Sequence, residues 1–252
     1  MDRRDWDLTL QFALRDFKIR YTNSALGYAW SVLNPLLFTL IYFLVFSTFI
    51  RFEVPNYPGH LLLGIVLWNF FAEGSGNGVA SLLARAGLLG KVSIRREVVV
   101  YAAVLHAFIT FAINLVVLAG LLYVTGTAGH WTMVLFPILL VDLVLLTLGV
   151  ALLLAPLHVR FHDVGYLWGV LLQMGFWLTP IIYMEPMMPL RWRWLVRYNP
   201  MARVVEQSRQ AIIYGEWPDA LAVVRTSVIA LVVLGVGWLA FRRLQAHVVE
   251  YF

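Results

Sequence analysis

Long apolar stretches separated by short polar connections dominate the pattern along this chain. Spanning the hydrocarbon core of a bilayer takes about 20 mostly apolar residues in a helix. Six stretches meet this requirement, at residues 29–50, 60–84, 98–124, 132–156, 164–184 and 222–241. The pattern therefore predicts an all-α integral membrane protein with six transmembrane helices.

The segment before the first stretch predicts an amphipathic helix with two apolar stripes. Leu8, Phe12 and Ile19 share one side of such a helix. The larger stripe lies nearly opposite and consists of Trp6, Leu10, Ala13, Leu14, Phe17 and Tyr21. A helix that only rests on the membrane surface needs one apolar face. We therefore expect residues 1–21 to form an interfacial helix that contacts the membrane bundle on one side and protein on the other.

A proline lies close to the start of the first apolar stretch. The run from Pro35 to Ile50 is too short to cross a membrane comfortably at about 1.5 Å per residue. We therefore expect the helix to begin near Gly27 or Ala29. This start places Pro35 inside the early turns, where it removes one backbone hydrogen bond and bends the axis.

Basic residues are concentrated in alternate connections, and membrane proteins keep Lys and Arg on the cytoplasmic side. They are frequent in 1–21, in 85–97 and in the tail, whereas 51–59 and 125–131 hold only Arg51. Both termini are therefore expected in the cytoplasm. We attribute the net charge of +5 to this topology and not to nucleic-acid binding.

The connection 185–221 departs from this rule, because it should lie outside. It nevertheless carries Arg191, Arg193, Arg197, Arg203 and Arg209. Either one segment is miscounted or this connection has a special role. We prefer the second explanation, because reversing the chain would leave the basic segments 1–21 and 85–97 outside.

The same connection has helix signals of its own. Asn199 is a good N-cap, Pro200 suits the first helical position, and Gly215 suits the position after the end. Trp192 and Trp194 precede it and are typical of membrane–water interfaces. We expect short helices at the outer surface or dipping partly into it. Their predicted apolar face consists of Met201, Val204, Val205, Ser208, Ala211 and Ile212.

Composition supports one membrane domain over residues 1–252, with the interfacial helix at 1–21 and the six-span bundle at 22–252. The chain is 61% hydrophobic and 13% charged, against about 45–50% and 25% in soluble proteins. It contains no cysteine, which excludes disulfides and thiolate chemistry. The N-terminus lacks signal-peptide features, so the first apolar stretch is expected in the mature protein.

Motifs for catalysis are absent from the sequence. No zinc-protease or serine-hydrolase motif occurs, and the stretch from Gly87 through Gly90, Lys91 and Val92 is not a phosphate loop. A phosphate loop has four residues between its glycines and Ser or Thr after the Lys. We therefore expect no enzymatic activity and no ATP binding by this motif.

Four further polar residues are candidates for chemistry. Glu73 and Asp142 lie within spans, where ionisable groups are expensive. Each forms either a proton or substrate site or a pair with a polar group in the bundle. His158 and His162 have the i,i+4 spacing of metal ligands, but no third ligand lies nearby, so no metal site is expected.

The basic connection 85–97 and the aromatic residues are the remaining features. Apolar residues set among basic ones in 85–97 suit docking into a groove on a partner, and they also suit a loop held by anionic lipids. Aromatic rings in the spans bind sugar rings in some proteins, and in others they fill the bundle or face lipid. For 85–97 the sequence leaves both alternatives open, whereas for most individual aromatic residues it favours bundle filling or lipid contact.

Taken together, these segments resemble a known family. The resemblance covers the whole chain and is most specific in RDFKIRYTNSALGYAWSVLNPLL (15–37), LTPIIY (178–183) and RYNPMARVVEQSRQ (197–210). These stretches resemble the permease subunit of ABC-2-type exporters, in the branch that exports O-antigen, capsule or teichoic-acid chains on lipid carriers. The matching motif residues are Arg15, Arg20, Tyr21, Gly27, Trp30, Asn34, Pro35, Asn199 and Pro200.

The resemblance implies partners and a location. It implies a homodimer that forms a channel in the bacterial cytoplasmic membrane, with two separate ATPase subunits that bind ATP and magnesium. It implies a lipid-linked polysaccharide as substrate, with no cofactor held by this chain. ATP binding would move coupling helices and open the channel over repeated cycles.

The resemblance also implies site residues. Residues for ATPase coupling are Arg85, Leu88, Leu89, Lys91, Ile94, Arg95 and Arg96. Residues for the substrate entrance and channel are Tyr28, Trp30, Asn34, Tyr42, Trp168, Phe176 and Trp177. Residues for the outer gate are Trp192, Trp194, Arg197, Asn199 and Pro200.

Other function classes fit parts of the sequence. An ABC-2 permease for a drug, haem or a lipid shares the topology but usually lacks the Trp30–Asn34–Pro35 arrangement. A membrane enzyme acting on lipid-linked sugars should show paired acidic residues at a membrane face. A secondary transporter should show internal symmetry and coupled buried charges.

Overall fold

The computed structural model describes residues 2–22, 24–51, 54–92, 94–127 and 129–245, and this part of the chain is helical. The helices are α1 (Arg3–Tyr21), α2 (Trp30–Phe43), α3 (Tyr57–Ala84), α4 (Ala86–Leu89), α5 (Arg96–Val124), α6 (Phe136–Arg160), α7 (Asp163–Leu178), α8 (Arg193–Tyr198), α9 (Pro200–Arg209) and α10 (Ala220–Leu244). A π-helical turn extends α2 over Leu44–Phe49, and another extends α9 over Gln210–Tyr214.

The long helices run between two opposite ends of a bundle. At one end, which we call the α1 end, Glu73 of α3 pairs with Arg20 of α1. At the other, which we call the α9 end, the carbonyl of His60 at the start of α3 accepts a hydrogen bond from Arg209 of α9. The connection 85–97, which is predicted to couple to an ATPase, lies at the α1 end, and the connection 185–221 lies at the α9 end.

Four helices in the described part of the chain are long and apolar enough to cross a membrane. They cover Gly27–Phe49, Arg96–Val124, Trp131–Arg160 and Ala220–Leu244. The other two predicted spans are α3, which is long but carries a polar stretch around Glu73, and α7, which has only 16 residues. The prediction of a span over 164–184 is wrong at its end. The helix stops at Leu178 because Thr179 precedes Pro180, and a residue before proline is disfavoured in a helix.

The first span begins as predicted. A short 3-10 turn covers Gly27–Ala29, α2 starts at Trp30, and Pro35 lies inside the helix. Gly27 has a φ of +50°, a conformation that glycine adopts without steric cost. The glycine therefore allows the chain to turn from the loop after α1 into the span.

Small residues hold the long helices together at close range. A Cβ atom on Gly149 of α6 would lie 2.7 Å from the backbone nitrogen of Leu234 on α10, and a Cβ on Gly237 would collide with the carbonyl of Gly149. A Cβ on Gly74 of α3 would lie 2.6 Å from the side chain of Thr147 on α6. Membrane helices approach closely at small residues because lipid supplies no hydrophobic force between them.

The helix α1 packs on the bundle with a face that matches the prediction only in part. It lies against α5 along Asp5, Thr9 and Ala13, which are buried, and of these only Ala13 belongs to a predicted stripe. Trp6 and Ile19, one from each stripe, are 54% and 59% exposed. The side chain of Tyr21 lies outside the described residues. The prediction that one stripe faces the bundle is therefore correct only in part. Ala13 and Phe17 of the larger stripe meet α5, whereas Trp6 of the same stripe is more than half exposed.

Candidate functional site

A polar cavity of about 530 Å³ opens at the α1 half of the bundle. Its walls come from α2, α3, α5 and the end of α1, so residues distant in sequence meet there. The predicted channel residues Trp30 and Asn34 both line it. The lining side chains that matter below are Arg20, Trp30, Asn34, Glu73, Thr110 and Asn114.

A second, aromatic cavity of about 490 Å³ adjoins the first. Both cavities are lined by Phe38, Asn69 and Ala72, so they meet along α2 and α3. We call the two together the α2–α7 groove, because α2 lines both cavities and α7 lines the aromatic one. The aromatic half is lined further by Tyr42, Trp68, Leu172, Gln173, Phe176 and Trp177.

The groove follows from helical spacing on α2. Trp30, Asn34, Phe38 and Tyr42 are four residues apart, so they lie on one face of the helix. Pro35 is buried and lies beside this face rather than on it. Trp30, Asn34 and Tyr42 were predicted channel residues and Phe38 was not, although the i+4 series contains the signal for it.

Aromatic rings form a continuous series of contacts in the second half of the groove. The ring centroids of Phe38 and Tyr42 are 6.0 Å apart, and those of Tyr42 and Phe176 are 5.9 Å apart. Phe176 also contacts Trp68 at 6.0 Å and Trp177 at 5.6 Å. Such a surface presents large apolar ring faces, which suit contact with the apolar side of a sugar ring or with another ring.

The charges of the polar half are paired. The guanidinium of Arg20 forms an ion pair with the carboxylate of Glu73. The Nε2 atom of His106 lies 3.5 Å from the same carboxylate. Of the two explanations offered for Glu73, the structure confirms that it meets polar partners. Asp142 does likewise, because Ser227 donates a hydrogen bond of 2.8 Å to it.

Two predicted channel residues lie outside the groove. Tyr28 stacks on Phe17 of α1, with ring centroids 5.2 Å apart. Trp168 of α7 donates a hydrogen bond of 3.1 Å to Ser75 and contacts Phe71 edge to face. These side chains therefore attach α1 and α7 to the bundle on either side of the groove.

The predicted coupling residues are largely engaged within the chain. Arg85 pairs with Asp16 of α1, and Arg95 lies 3.2 Å from Asp5. Arg96 donates to the carbonyl of Gln245 at the end of α10. Leu88, Leu89 and Ile94 are half-buried, whereas Gly87, Gly90, Lys91 and Val92 are exposed. The exposed surface available to a partner is therefore smaller than the predicted set.

At the α9 end, the structure confirms the predicted helix signals. The side chain of Asn199 accepts from the amides of Met201 and Ala202 at 3.0 and 3.3 Å, and Gly215 follows the π-helical turn with a φ of +64°. The amide of Asn199 also donates to Thr179 after α7. Every residue of the predicted apolar face is buried. Trp192, Trp194 and Arg197 are exposed.

Three of the five unexpected arginines bind partners within the chain. Arg193 donates to the carbonyls of Pro186 and Met188, and Arg203 lies 3.7 Å from Glu185. Arg209 is fully buried and donates to the carbonyls of Pro180, Ile181 and His60. Burial lowers the pKa of Arg209 to about 10, so it remains charged at neutral pH. Arg209 was not among the predicted site residues.

Comparison with known proteins identifies the family. The model of the ABC-2 type transporter family matches residues 8–213 of the chain.

The chain belongs to the ABC-2 type transporter family.

Three permease or transport proteins match 83–91% of the chain. The O-antigen export system permease protein RfbA of Klebsiella pneumoniae is 31% identical over 211 residues, which cover 83% of this chain and 82% of the relative. RfbA of Myxococcus xanthus is 30% identical over 90% of this chain and 88% of the relative. The polysialic acid transport protein KpsM of Escherichia coli is 23% identical over 91% of this chain and 90% of the relative. The resemblance stated from the sequence is confirmed.

Proposed function

We propose that this chain is the transmembrane permease subunit of an ATP-driven exporter that moves a lipid-linked polysaccharide across the bacterial cytoplasmic membrane. The observation that carries the proposal is the α2–α7 groove, in which hydrogen-bonding side chains lie next to a series of aromatic rings. A polysaccharide needs both, because each ring has hydroxyl groups on its edge and apolar faces. Relatives named as O-antigen and polysialic acid transporters support this substrate class.

In this proposal α3 and α7 cross the membrane together with the four apolar helices named above. The polar stretch of α3 faces the groove at Asn69 and Glu73, which accounts for its lower hydropathy. Six crossings place both termini on one side, and the basic segments 1–21 and 85–97 make that side the cytoplasm. The α9 end then lies outside, where α8, α9 and the exposed Trp192 and Trp194 form a gate.

Two copies would pair so that their grooves face each other and enclose a channel. The exposed apolar side chains of α2, such as Leu37, then meet the second copy, whereas those of α10, such as Val228, face lipid. Because the chain has no cysteine, single cysteines report on this directly. A cysteine at Leu37 should cross-link two copies and one at Val228 should not. Cross-linking at Val228 alone would contradict the arrangement.

A pair of separate ATPase subunits would supply the energy, with ATP and magnesium bound by those subunits. We propose that they dock on the exposed part of the coupling connection, at Lys91 and Val92. Replacing both by Asp should abolish co-purification of the ATPase while leaving the permease folded. The matched variant Arg191→Asp, at the α9 end, should leave the complex intact. Full recovery of the complex from the double variant would remove this docking role.

Within the groove, the chain would hold the polymer without reacting with it. Trp30 and Asn34 would bind the first sugar residues. The rings of Tyr42 and Phe176 would contact the apolar faces of the sugar residues nearer the α9 end. Closing of the ATPase dimer would move the coupling connection and, through the Arg85–Asp16 pair, the helix α1.

Polymer export tests the function. Cells that make the polymer and the ATPase but lack this chain should accumulate polymer inside, and the chain should restore surface polymer. Trp30→Ala should lower export severalfold, and Trp131→Ala, which changes a tryptophan 90% exposed at the α9 end, should not. Surface polymer that forms without the chain would refute the proposal. Export driven by a proton gradient without nucleotide would favour a secondary transporter.

A further inference from the structure

The wall of α5 in the polar half of the groove carries two buried polar atoms without partners. Thr110 and Asn114 are 8% and 7% exposed, and both line the cavity. Among the described residues, neither Oγ1 of Thr110 nor Oδ1 of Asn114 has a hydrogen-bond partner. Buried polar groups are normally bonded, so a specific unsatisfied pair beside a cavity calls for an occupant.

Thr110 differs in this respect from other threonines in the bundle. The hydroxyls of Thr39 and Thr147 donate to the carbonyls four residues earlier in their own helices, at 2.8 and 2.7 Å. Thr110 makes no such bond, and the amide nitrogen of Asn114 donates to the Thr110 carbonyl at 2.9 Å. Bonding to the preceding turn is the ordinary way in which a threonine is satisfied inside an apolar helix. The Thr110 hydroxyl and the Asn114 oxygen thus have no partner among the described residues, and the side chains that carry them line the cavity.

The facing walls supply complementary groups. Asn34 on α2 and Asn69 on α3 line the same cavity, and each amide both donates and accepts hydrogen bonds. The ring of Trp30 lines the cavity as well and is 46% exposed. The polar half therefore presents donors, acceptors and one flat apolar face within about 530 Å³, which is large enough for a sugar ring.

The charge of the cavity favours a neutral ligand. Its cation, Arg20, is already paired with its anion, Glu73. A phosphate or diphosphate group would have to displace this carboxylate or lie beside it, and like charges at close range are unfavourable. Hydroxyl groups bond to either partner without breaking the pair.

We propose that the polar half of the α2–α7 groove is a binding subsite for a neutral sugar ring. In this subsite Thr110, Asn114 and Asn34 bond the hydroxyl groups and Trp30 covers one face. The inference rests on the proposed polysaccharide export and specifies which part of the substrate the site holds: a sugar residue, not the phosphate of the lipid carrier.

Ligand binding to the purified chain in lipid nanodiscs tests the subsite. Maltotetraose is the neutral probe and inorganic pyrophosphate is the anionic one, and saturation-transfer NMR measures the affinity for each. The variant Thr110→Val removes the hydroxyl at constant shape, and Asn114→Leu removes the amide. The matched control Thr147→Val removes an equally buried hydroxyl that is already satisfied by its own helix.

We expect Thr110→Val and Asn114→Leu to weaken maltotetraose binding at least fivefold, and Thr147→Val to change it less than twofold. The midpoint of thermal unfolding of Thr110→Val should equal or exceed that of the wild type. The substitution removes a hydroxyl that has no partner in the folded protein, so it breaks no hydrogen bond. Absence of sugar binding by the wild type, unchanged binding by Thr110→Val, or displacement of the sugar by pyrophosphate would overturn the subsite.

The outcome separates the subsite from the proposed function. If polymer export depends on the chain while Thr110→Val binds sugar normally, only the subsite is wrong. If sugar binds as expected while cells export polymer without the chain, the proposed function is wrong and the subsite stands.

Discussion

The contact between α6 and α10 depends on two glycines, and adding one methyl group should separate the helices. In Gly149→Ala, the new Cβ would lie 2.7 Å from the backbone nitrogen of Leu234 and the same distance from the carbonyl carbon of Val233. Ordinary contacts between such atoms are about 3.5–4.0 Å. Because both obstacles are backbone atoms, no side-chain rotation relieves the collision. The two helices must therefore move apart by about 0.8 Å or more.

This movement has a cost that can be worked from the geometry. Overpacking a bundle interior costs about 1–3 kcal/mol. The hydrogen bond from Ser227 to Asp142, now 2.8 Å, joins the same two helices. It would lengthen to about 3.6 Å, which is no longer a hydrogen bond, and such bonds contribute about 0.6 kcal/mol on average in membrane bundles. Against these costs, alanine has a higher helix propensity than glycine, which stabilises the helix by up to about 1 kcal/mol. The net destabilisation expected for Gly149→Ala is about 1–3 kcal/mol.

The matched control is Gly235→Ala on α10. A Cβ at Gly235 meets nothing within 4 Å, so only the gain in helix propensity applies. The two variants should therefore differ by about 2–4 kcal/mol, which corresponds to about 4–16 °C in the midpoint of thermal unfolding. Thermal unfolding of the purified protein in detergent, followed by circular dichroism, measures this difference.

One result would refute the reasoning. If Gly149→Ala unfolds at the same temperature as Gly235→Ala, the helices are not held at the distance that the structure shows. The reciprocal variant Gly237→Ala provides an independent check, because its Cβ would collide with the Gly149 carbonyl. It should be destabilised at least as much as Gly149→Ala.

Three further predictions concern the ends of the bundle. Arg209→Met should lower the midpoint of thermal unfolding, because the carbonyls of the turn after α7 lose their hydrogen-bond donor. The control Arg197→Met, at an exposed position, should leave the midpoint unchanged. Equal midpoints for the two variants would contradict this prediction. Asn199→Ala should cost about 1 kcal/mol and speed hydrogen exchange at the two capped amides, and unchanged exchange would argue against the cap. Arg85→Asp should destabilise α1, and adding Asp16→Arg should restore about 1 kcal/mol in a double-mutant cycle. A coupling energy near zero would show that the pair contributes nothing.

Local signals in the sequence predicted local structure well. The Asn199 cap, the glycine after the π-helical turn and the start of the first span near Gly27 all depend on residues a few positions apart. Such signals act within one or two helical turns, where the chain itself supplies both partners. For the same reason the end of α7 at Leu178 could have been predicted from Thr179–Pro180. Hydropathy alone predicted a longer helix.

The packing of α1 shows where the same reasoning was only partly right. In water, the more apolar face of a helix is buried, and this rule selected the stripes of Trp6 and Ile19. In a membrane, lipid solvates apolar side chains, so burial follows size and closeness instead. Of the residues that pack against α5, Ala13 belongs to the larger stripe, whereas Asp5 and Thr9 belong to neither.

The arginines of 185–221 show how tertiary contacts resolve a conflict in the sequence. By the positive-inside rule they contradict an outer location. The buried Arg209 and the bonded Arg193 and Arg203 are engaged with carbonyls and a carboxylate of the chain, so they no longer act as free charges. A count of charges along the sequence cannot contain this information, because the acceptors lie up to 149 positions away.

The sequence by itself determined the class of the protein, which is a helical membrane protein whose segments resemble an ABC-2 permease. It also determined the helix caps and the face of α2 that carries Trp30 and Asn34. Only the tertiary structure decided which helices meet, and therefore that Thr110 and Asn114 of α5 lie opposite Trp30 and Asn34. Helical periodicity states which residues share a face. It does not state which other helix that face contacts, because this depends on the close packing of small residues across the whole bundle.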